Sequence, residues 1–148
     1  MSNIETSVSS FNHLQAAHCE NGVTTALLGH YGIHKVTEPL AFGMGSGLFY
    51  IQLPFMKVNG GPAISFRTMP GMIFKRTCKS LGVTVTRKKY SDHKKAMAEL
   101  DERVLAGKPT ACQVGVYYLT YFPKEYRFHF NAHNLIVVDK QGDNYIIS

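Results

Sequence analysis

Residues 18–32 read His18-Cys19-Glu20-Asn21-Gly22-Val23-Thr24-Thr25-Ala26-Leu27-Leu28-Gly29-His30-Tyr31-Gly32, and residues 128–139 read Phe128-His129-Phe130-Asn131-Ala132-His133-Asn134-Leu135-Ile136-Val137-Val138-Asp139. The fold class turns on the difference between these two patterns. In the first, Val23, Ala26, Leu27 and Tyr31 fall at i, i+3, i+4 and i+8, which predicts a helix over 19–31 with one apolar face. Glu20 sits in its first turn, where a carboxylate suits the helix dipole. Gly32 is a C-terminal stop. The second stretch predicts a strand over 131–139, which pairs with 144–147 as a hairpin around Lys140-Gln141-Gly142-Asp143. Helices come first and an antiparallel sheet last, an α+β arrangement.

The segments between fit that frame. A short helix is expected over Thr37–Phe42, with Pro39 near its start. Gly43-Met44-Gly45-Ser46-Gly47 is a glycine turn, and Leu48–Leu53 is a strand. A second strand is expected over 63–67. Pro70 opens a helix running to Leu81, where Gly82 stops it. Val83–Arg87 alternates as a strand does. Ser91 caps a helix reaching Leu105, closed by Gly107-Lys108-Pro109. Thr110–Tyr118 is strand-like, and 119–128 is an aromatic, charged loop. Residues 1–10 read as a loose leader and 11–148 as one domain.

The chain has 148 residues, 45% apolar and 18% charged, which is globular composition and argues against disorder. Three cysteines with no CxxC pair exclude a disulfide scaffold and argue against structural zinc. His30 and His34 stand i, i+4, but Gly32 lies between them and no acidic base sits inside the pair, so no metal is expected. Cys78 and Cys112 fall in apolar patterns and read as core. The glycine cluster lacks a GKS/T ending, so it is not a phosphate loop. No apolar run is long enough to span a membrane. Met1–Ser10 lacks the basic and apolar parts of a secretory signal, so the cytoplasm, with reduced thiols, is the default compartment.

Net charge is +6, and it is concentrated: residues 67–108 hold eleven basic residues against four acidic. The bland reading is a solvated face of two amphipathic helices. The sharper one is a dock for an acidic partner, a carrier protein or a nucleic acid. Tyr90 is the only aromatic residue in the densest run, and single-strand binding wants several, so no nucleic-acid partner is expected.

Cys19 is the candidate nucleophile. At the start of a helix, the dipole and the N-terminal N–H groups favour a thiolate and can hold an oxyanion. The thiolate is the attacking form. His133 is the candidate base, because it alone among the seven histidines lies within a predicted core strand. By period two, His129 points to the same face and stays open as the alternative. On residue type alone a lone Cys is more often a small buried hydrophobe. The aromatic residues Tyr117, Tyr118, Tyr121, Phe122, Tyr126, Phe128 and Phe130 are mostly packing, with a substrate wall beside His133 as the sharper reading.

His18-Cys19-Glu20-Asn21, Thr25-Ala26-Leu27-Leu28, His30-Tyr31-Gly32, Thr37-Glu38-Pro39-Leu40 and Phe42 to Leu48, together with the later His133 segment, resemble the N-terminal domain of the butirosin biosynthesis protein H family. The resemblance covers most of the chain. It implies a papain-like fold, related to bacteriocin-processing cysteine peptidases, with N-terminal helices packed on a C-terminal antiparallel sheet. It implies a cysteine acyltransferase in secondary metabolism, with an acyl carrier protein thioester as donor, a small amine as acceptor and no cofactor. Cys19 would attack the thioester and His133 would move the protons. Gln15, four residues before Cys19, corresponds only weakly to the oxyanion glutamine of such sites. The third triad member is unassigned. Asp139 and Asp143 flank the hairpin turn and read as caps, so the orienting residue is expected beyond Ser148, with a helical domain downstream. Alternatives on the same scaffold are a cysteine peptidase or amidase, and a non-catalytic binding module.

Overall fold

The computed structural model describes residues 11–129 and 132–148, so the expected leader at 1–10 and the residues Phe130 and Asn131 lie outside the described residues. The helices are α1 (Cys19–His30), α2 (Glu38–Met44), α3 (Met72–Ser80) and α4 (His93–Leu105). The strands are β1 (Leu48–Val58), β2 (Gly61–Arg67), β3 (Thr110–Val114), β4 (His133–Gln141) and β5 (Asn144–Ile147). Both sheets are antiparallel, β1-β2 and β3-β4-β5, so the protein is mixed α+β. The chain divides into two units, 16–86 and 87–148, the latter taking in the segment before Ala16.

The first unit packs α1, α2 and α3 on one another. Leu28, Val36, Ala41 and Cys78 form its apolar centre, with Ile33, Phe74, Leu81 and Val83 around them. Burial pushes the Cys78 thiol above its ordinary range, as suits a core position. Polar ties cross this layer. The Thr77 hydroxyl donates to the Ala41 carbonyl at 3.0 Å, and Arg76 donates to the Gly45 carbonyl and to Thr68 Oγ1. At Gly45 a Cβ would stand 2.6 Å from Ile73 Cα, so only glycine lets α2 approach α3 this closely.

The apolar face expected on α1 is rotated. Val23 and Leu27 are buried as predicted, but Tyr31 is exposed, and Glu20, Asn21, Thr24 and Leu28 go inside. A helix wedged between two others buries more than one stripe, so its polar residues must find partners.

All four helices close in the same way. The second N–H beyond each helix cap bonds back to the third-last helical carbonyl: Ile33 to Leu28, Gly47 to Phe42, Val83 to Cys78 and Lys108 to Arg103. The left-handed residue that permits this is glycine in α1, α3 and α4, but in α2 it is Ser46, at φ 52°.

This closure corrects the expected strand at Val83–Arg87. The N–H of Val83 is spent on the cap of α3, Val83 packs on the helical core, and the residues after it pair with no strand among the described residues. Alternation reports only which way side chains point; a strand also needs a ladder.

In the second unit α4 covers the three-stranded sheet, with Val104 against Leu135 and Val137. Leu135, Ile136, Val137 and Val138 are all buried, as befits the central strand of three. The N-cap of α4 is Asp92 rather than Ser91. Its carboxylate accepts from the Lys94 N–H at 2.8 Å, and a charged acceptor beside the dipole is the stronger cap. The expected strand at 110–118 stops at Val114, because Val114 pairs with His133, the first residue of β4. Val116–Tyr118 forms a 3₁₀ turn instead. The β4–β5 turn narrows to Gly142-Asp143, with Gly142 at φ 59°.

Candidate active site

Cys19 is the first residue of α1 and is partly exposed. Two side chains fix the backbone on which it stands. Glu38, at the start of α2, accepts the N–H of His18 at 2.7 Å and that of Ala17 at 3.1 Å, one carboxylate oxygen for each. Thr37 caps α2 and so places that carboxylate. His18 is the N-cap of α1, its Nδ1 accepting the Asn21 N–H at 3.3 Å. The Thr37-Glu38 pair therefore has a role in holding the Cys19 turn. No local sequence signal marks this role, because the partners lie about twenty residues earlier.

The bond to Asn21 decides what His18 can do. A ring nitrogen that accepts from a backbone N–H carries no proton, so the proton of neutral His18 sits on Nε2, which is buried with no hydrogen-bond partner among the described residues. Burial, then the positive charge of Arg67, hold the His18 pKa below the ordinary imidazole value. His18 is a neutral structural cap, and its basic nitrogen is already occupied. The side-chain oxygen of Asn21 and the Nε of Arg67 are also buried with no partner among the described residues, which is where ordered water belongs.

The lowered pKa makes stability pH-dependent. The unfolded chain takes up a proton at His18 near the ordinary imidazole value, about 6.5, before the folded chain does. Stability is therefore full above that pH and is lost as pH falls towards the folded pKa. His18→Asn keeps a capping acceptor and removes the titration, so urea midpoints measured between pH 7.5 and 5 are expected to fall less for the variant than for the wild type. Parallel curves would exclude His18 as a source of the loss.

Glu20 lies behind Cys19. It is 2% exposed, pairs with Arg67 at 3.4 Å, and accepts the Phe74 N–H at 3.1 Å. Its place in the first turn signals only the dipole role; the partners are distant in sequence.

His133 opens β4 rather than lying in its middle, and it is half-buried. Its ring meets Phe122 edge-on, with centroids 5.5 Å apart, and its Nε2 lies 3.4 Å from the Tyr121 hydroxyl. Burial lowers its pKa. Arg127 holds the loop that carries Tyr121 and Phe122 by donating to the carbonyls of Phe122 and Thr120, both at 2.7 Å. His129 precedes β4, so the period-two argument does not apply to it; it stacks on Tyr117 at 4.2 Å and is exposed. Asp139 accepts the N–H of Lys140, and Asp143 sits in the β4–β5 turn. Gln15 is exposed in the segment before α1. Cys19 belongs to the first unit, Gln15 and His133 to the second. His30 ends α1 and His34 lies beyond the Gly32 turn, so the two do not share a helical face.

The charge-rich middle third is partly consumed by structure. Arg67 and Arg76 are committed inside the first unit, and Lys88 pairs with Glu99. Lys89, Lys94 and Lys95 remain on the surface of the second unit. Among the described residues no helix is long and apolar enough to cross a membrane.

Comparison with curated proteins gives no match, and neither does comparison with solved structures. A family model described as butirosin biosynthesis protein H, N-terminal, matches residues 18–148, beginning at the cap of α1. The chain belongs to the butirosin biosynthesis protein H N-terminal family.

Proposed function

We propose that this protein is a biosynthetic enzyme with a papain-like arrangement, a cysteine-dependent acyltransferase. It would move an acyl or aminoacyl group from an acyl carrier protein thioester to a small amine. The observation that carries the reading is the placement of Cys19 on the first turn of α1, on a backbone gripped by Glu38. Membership of a family named for a biosynthetic protein supports it.

The chemistry is a double displacement. His133 takes the Cys19 proton, and the thiolate attacks the thioester carbonyl, assisted by N–H groups at the helix start. The carrier thiol leaves with that proton. The amine then attacks the Cys19 thioester, His133 removes the amine proton, and the Cys19 thiol is restored as the amide departs. With the Nδ1 of His18 occupied, the base must come from elsewhere, which favours His133. Gln15 is the weaker candidate for a further oxyanion donor. The lysines around Tyr90, Ser91 and Asp92 would meet an acidic carrier.

Intact-mass measurement after incubation with an acyl thioester tests this. The expected result is an adduct on Cys19 that an added amine discharges as amide and that Cys19→Ala lacks. Release of acid alone, or cleavage of a peptide, would point to the amidase or peptidase reading. No adduct and no turnover would leave a binding module.

A further inference from the structure

A histidine that acts as a base must have its ring held in one orientation. The second unit supplies that hold for His133 from the loop over 119–128. Antiparallel pairing with Val114 fixes the His133 backbone. The Phe122 ring meets the imidazole edge-on and sets its plane. The Tyr121 hydroxyl lies 3.4 Å from Nε2. The loop that carries both rings is anchored on either side of Tyr121. Arg127 donates from Nε to the Phe122 carbonyl and from Nη2 to the Thr120 carbonyl, both at 2.7 Å. The Phe122 N–H closes a turn onto the Leu119 carbonyl at 3.1 Å, and Leu119 packs on the core formed by Val104, Leu135 and Val137.

A carboxylate or an amide usually orients such a ring. Asp139 lies six residues along β4 from His133, about 20 Å at the rise of a strand, and Asp143 lies beyond it in the turn. Asn134, next in the strand, points to the opposite face. Burial alone lowers the His133 pKa, and no charged side chain among the described residues acts on the ring. A phenol oxygen can orient it instead. By accepting from Nε2–H it keeps the proton of the neutral ring on Nε2 and leaves the Nδ1 lone pair for the thiol. The bond survives protonation, because Nε2 keeps its proton when Nδ1 gains one. With the opposite polarity, the hydroxyl donating to Nε2, the ring proton would sit on Nδ1 and no basic nitrogen would remain.

We propose that Tyr121 is the positioning residue for His133, its hydroxyl oxygen accepting from Nε2–H so that Nδ1 is the nitrogen that takes the Cys19 proton. The role rests on the acyl-transfer reading. In the first half-reaction the proton passes from the Cys19 thiol to Nδ1 and from Nδ1 to the departing carrier thiol. In the second it passes from the amine to Nδ1 and from Nδ1 to the Cys19 sulfur. The Tyr121 O–H bond stays intact throughout. A phenol is neutral, so it orients the base without raising its pKa as a carboxylate would. The ring is therefore neutral at rest and takes the proton as the sulfur attacks.

Two measurements on the full chain test it. Long-range ¹H–¹⁵N spectra at about pH 8, where His133 is neutral, read the tautomer directly, with His133 assigned by its loss in His133→Gln. The wild type is expected to carry the proton on Nε2 with Nδ1 bare, and Tyr121→Phe a mixture of the two tautomers. Tyr121→Phe keeps the ring and removes the oxygen. Acylation of Cys19 by an acyl thioester is expected to slow about tenfold at saturation with KM unchanged, the worth of one neutral hydrogen bond. A proton on Nδ1 in the wild type overturns the proposal. So does a Tyr121→Phe variant that keeps either the wild-type rate or the wild-type tautomer. A wild type that forms no Cys19 adduct overturns the acyl-transfer reading instead, and the tautomers still decide whether Tyr121 accepts from Nε2.

Discussion

Glu20→Ala is expected to cost about 2–4 kcal/mol of stability, a large fraction of what a domain of this size has. Three losses add up. The Phe74 N–H, in the first turn of α3, loses its acceptor. The N-cap of α3 is Gly71, which has no side chain, so the Glu20 carboxylate serves α3 as a cap supplied from α1. Arg67 loses its counter-charge, and its Nε already lacks a partner among the described residues. Arg67 is 42% exposed and can turn to water, which keeps the loss below that of a fully buried pair. Glu20→Gln retains an acceptor for Phe74 and should lose clearly less. Urea denaturation at pH 7 reads both, and a Glu20→Ala midpoint equal to wild type would show that α3 holds its first turn without help.

The second large effect is catalytic. His133→Gln is expected to lower acyl transfer by roughly 10²–10⁴-fold at neutral pH, the usual worth of a positioned base. Its readout beyond rate is the pH profile. A base must be neutral, and burial favours neutral His133, so the acid limb of kcat/KM is expected below the ordinary imidazole value. His129→Gln, at an exposed ring stacked on Tyr117, should leave the profile in place. Loss of rate on changing His129 with no loss at His133 would move the base to the other candidate.

Local signals in the sequence located most elements. Thr37, Pro39 and the glycine that follows α1, α3 or α4 act within a few residues, and those helices stand where the pattern places them to within a residue or two. Cys19 at a helix start is the same kind of signal. What escaped is non-local. Glu20 finds Arg67 and Phe74 47 and 54 residues away, and no spacing rule reaches that far. Val83–Arg87 has strand alternation, yet the cap of α3 takes its first N–H. The expected strand begins at residue 131 and contains His133, but the strand opens at His133, where Val114 pairs with it. The outer face of the β1–β2 hairpin is apolar on both strands, and that pattern reads as core until the chain is seen to leave it uncovered.

The grip of Glu38 on the Ala17 and His18 amides also sets an order of events during synthesis. The carboxylate leaves the ribosome about twenty residues after those amides, a delay on the order of seconds at ordinary elongation rates. Until it docks, the turn beneath Cys19 lacks its anchor. A nascent chain thus carries Cys19 out of the ribosome before the backbone turn on which it stands has been anchored.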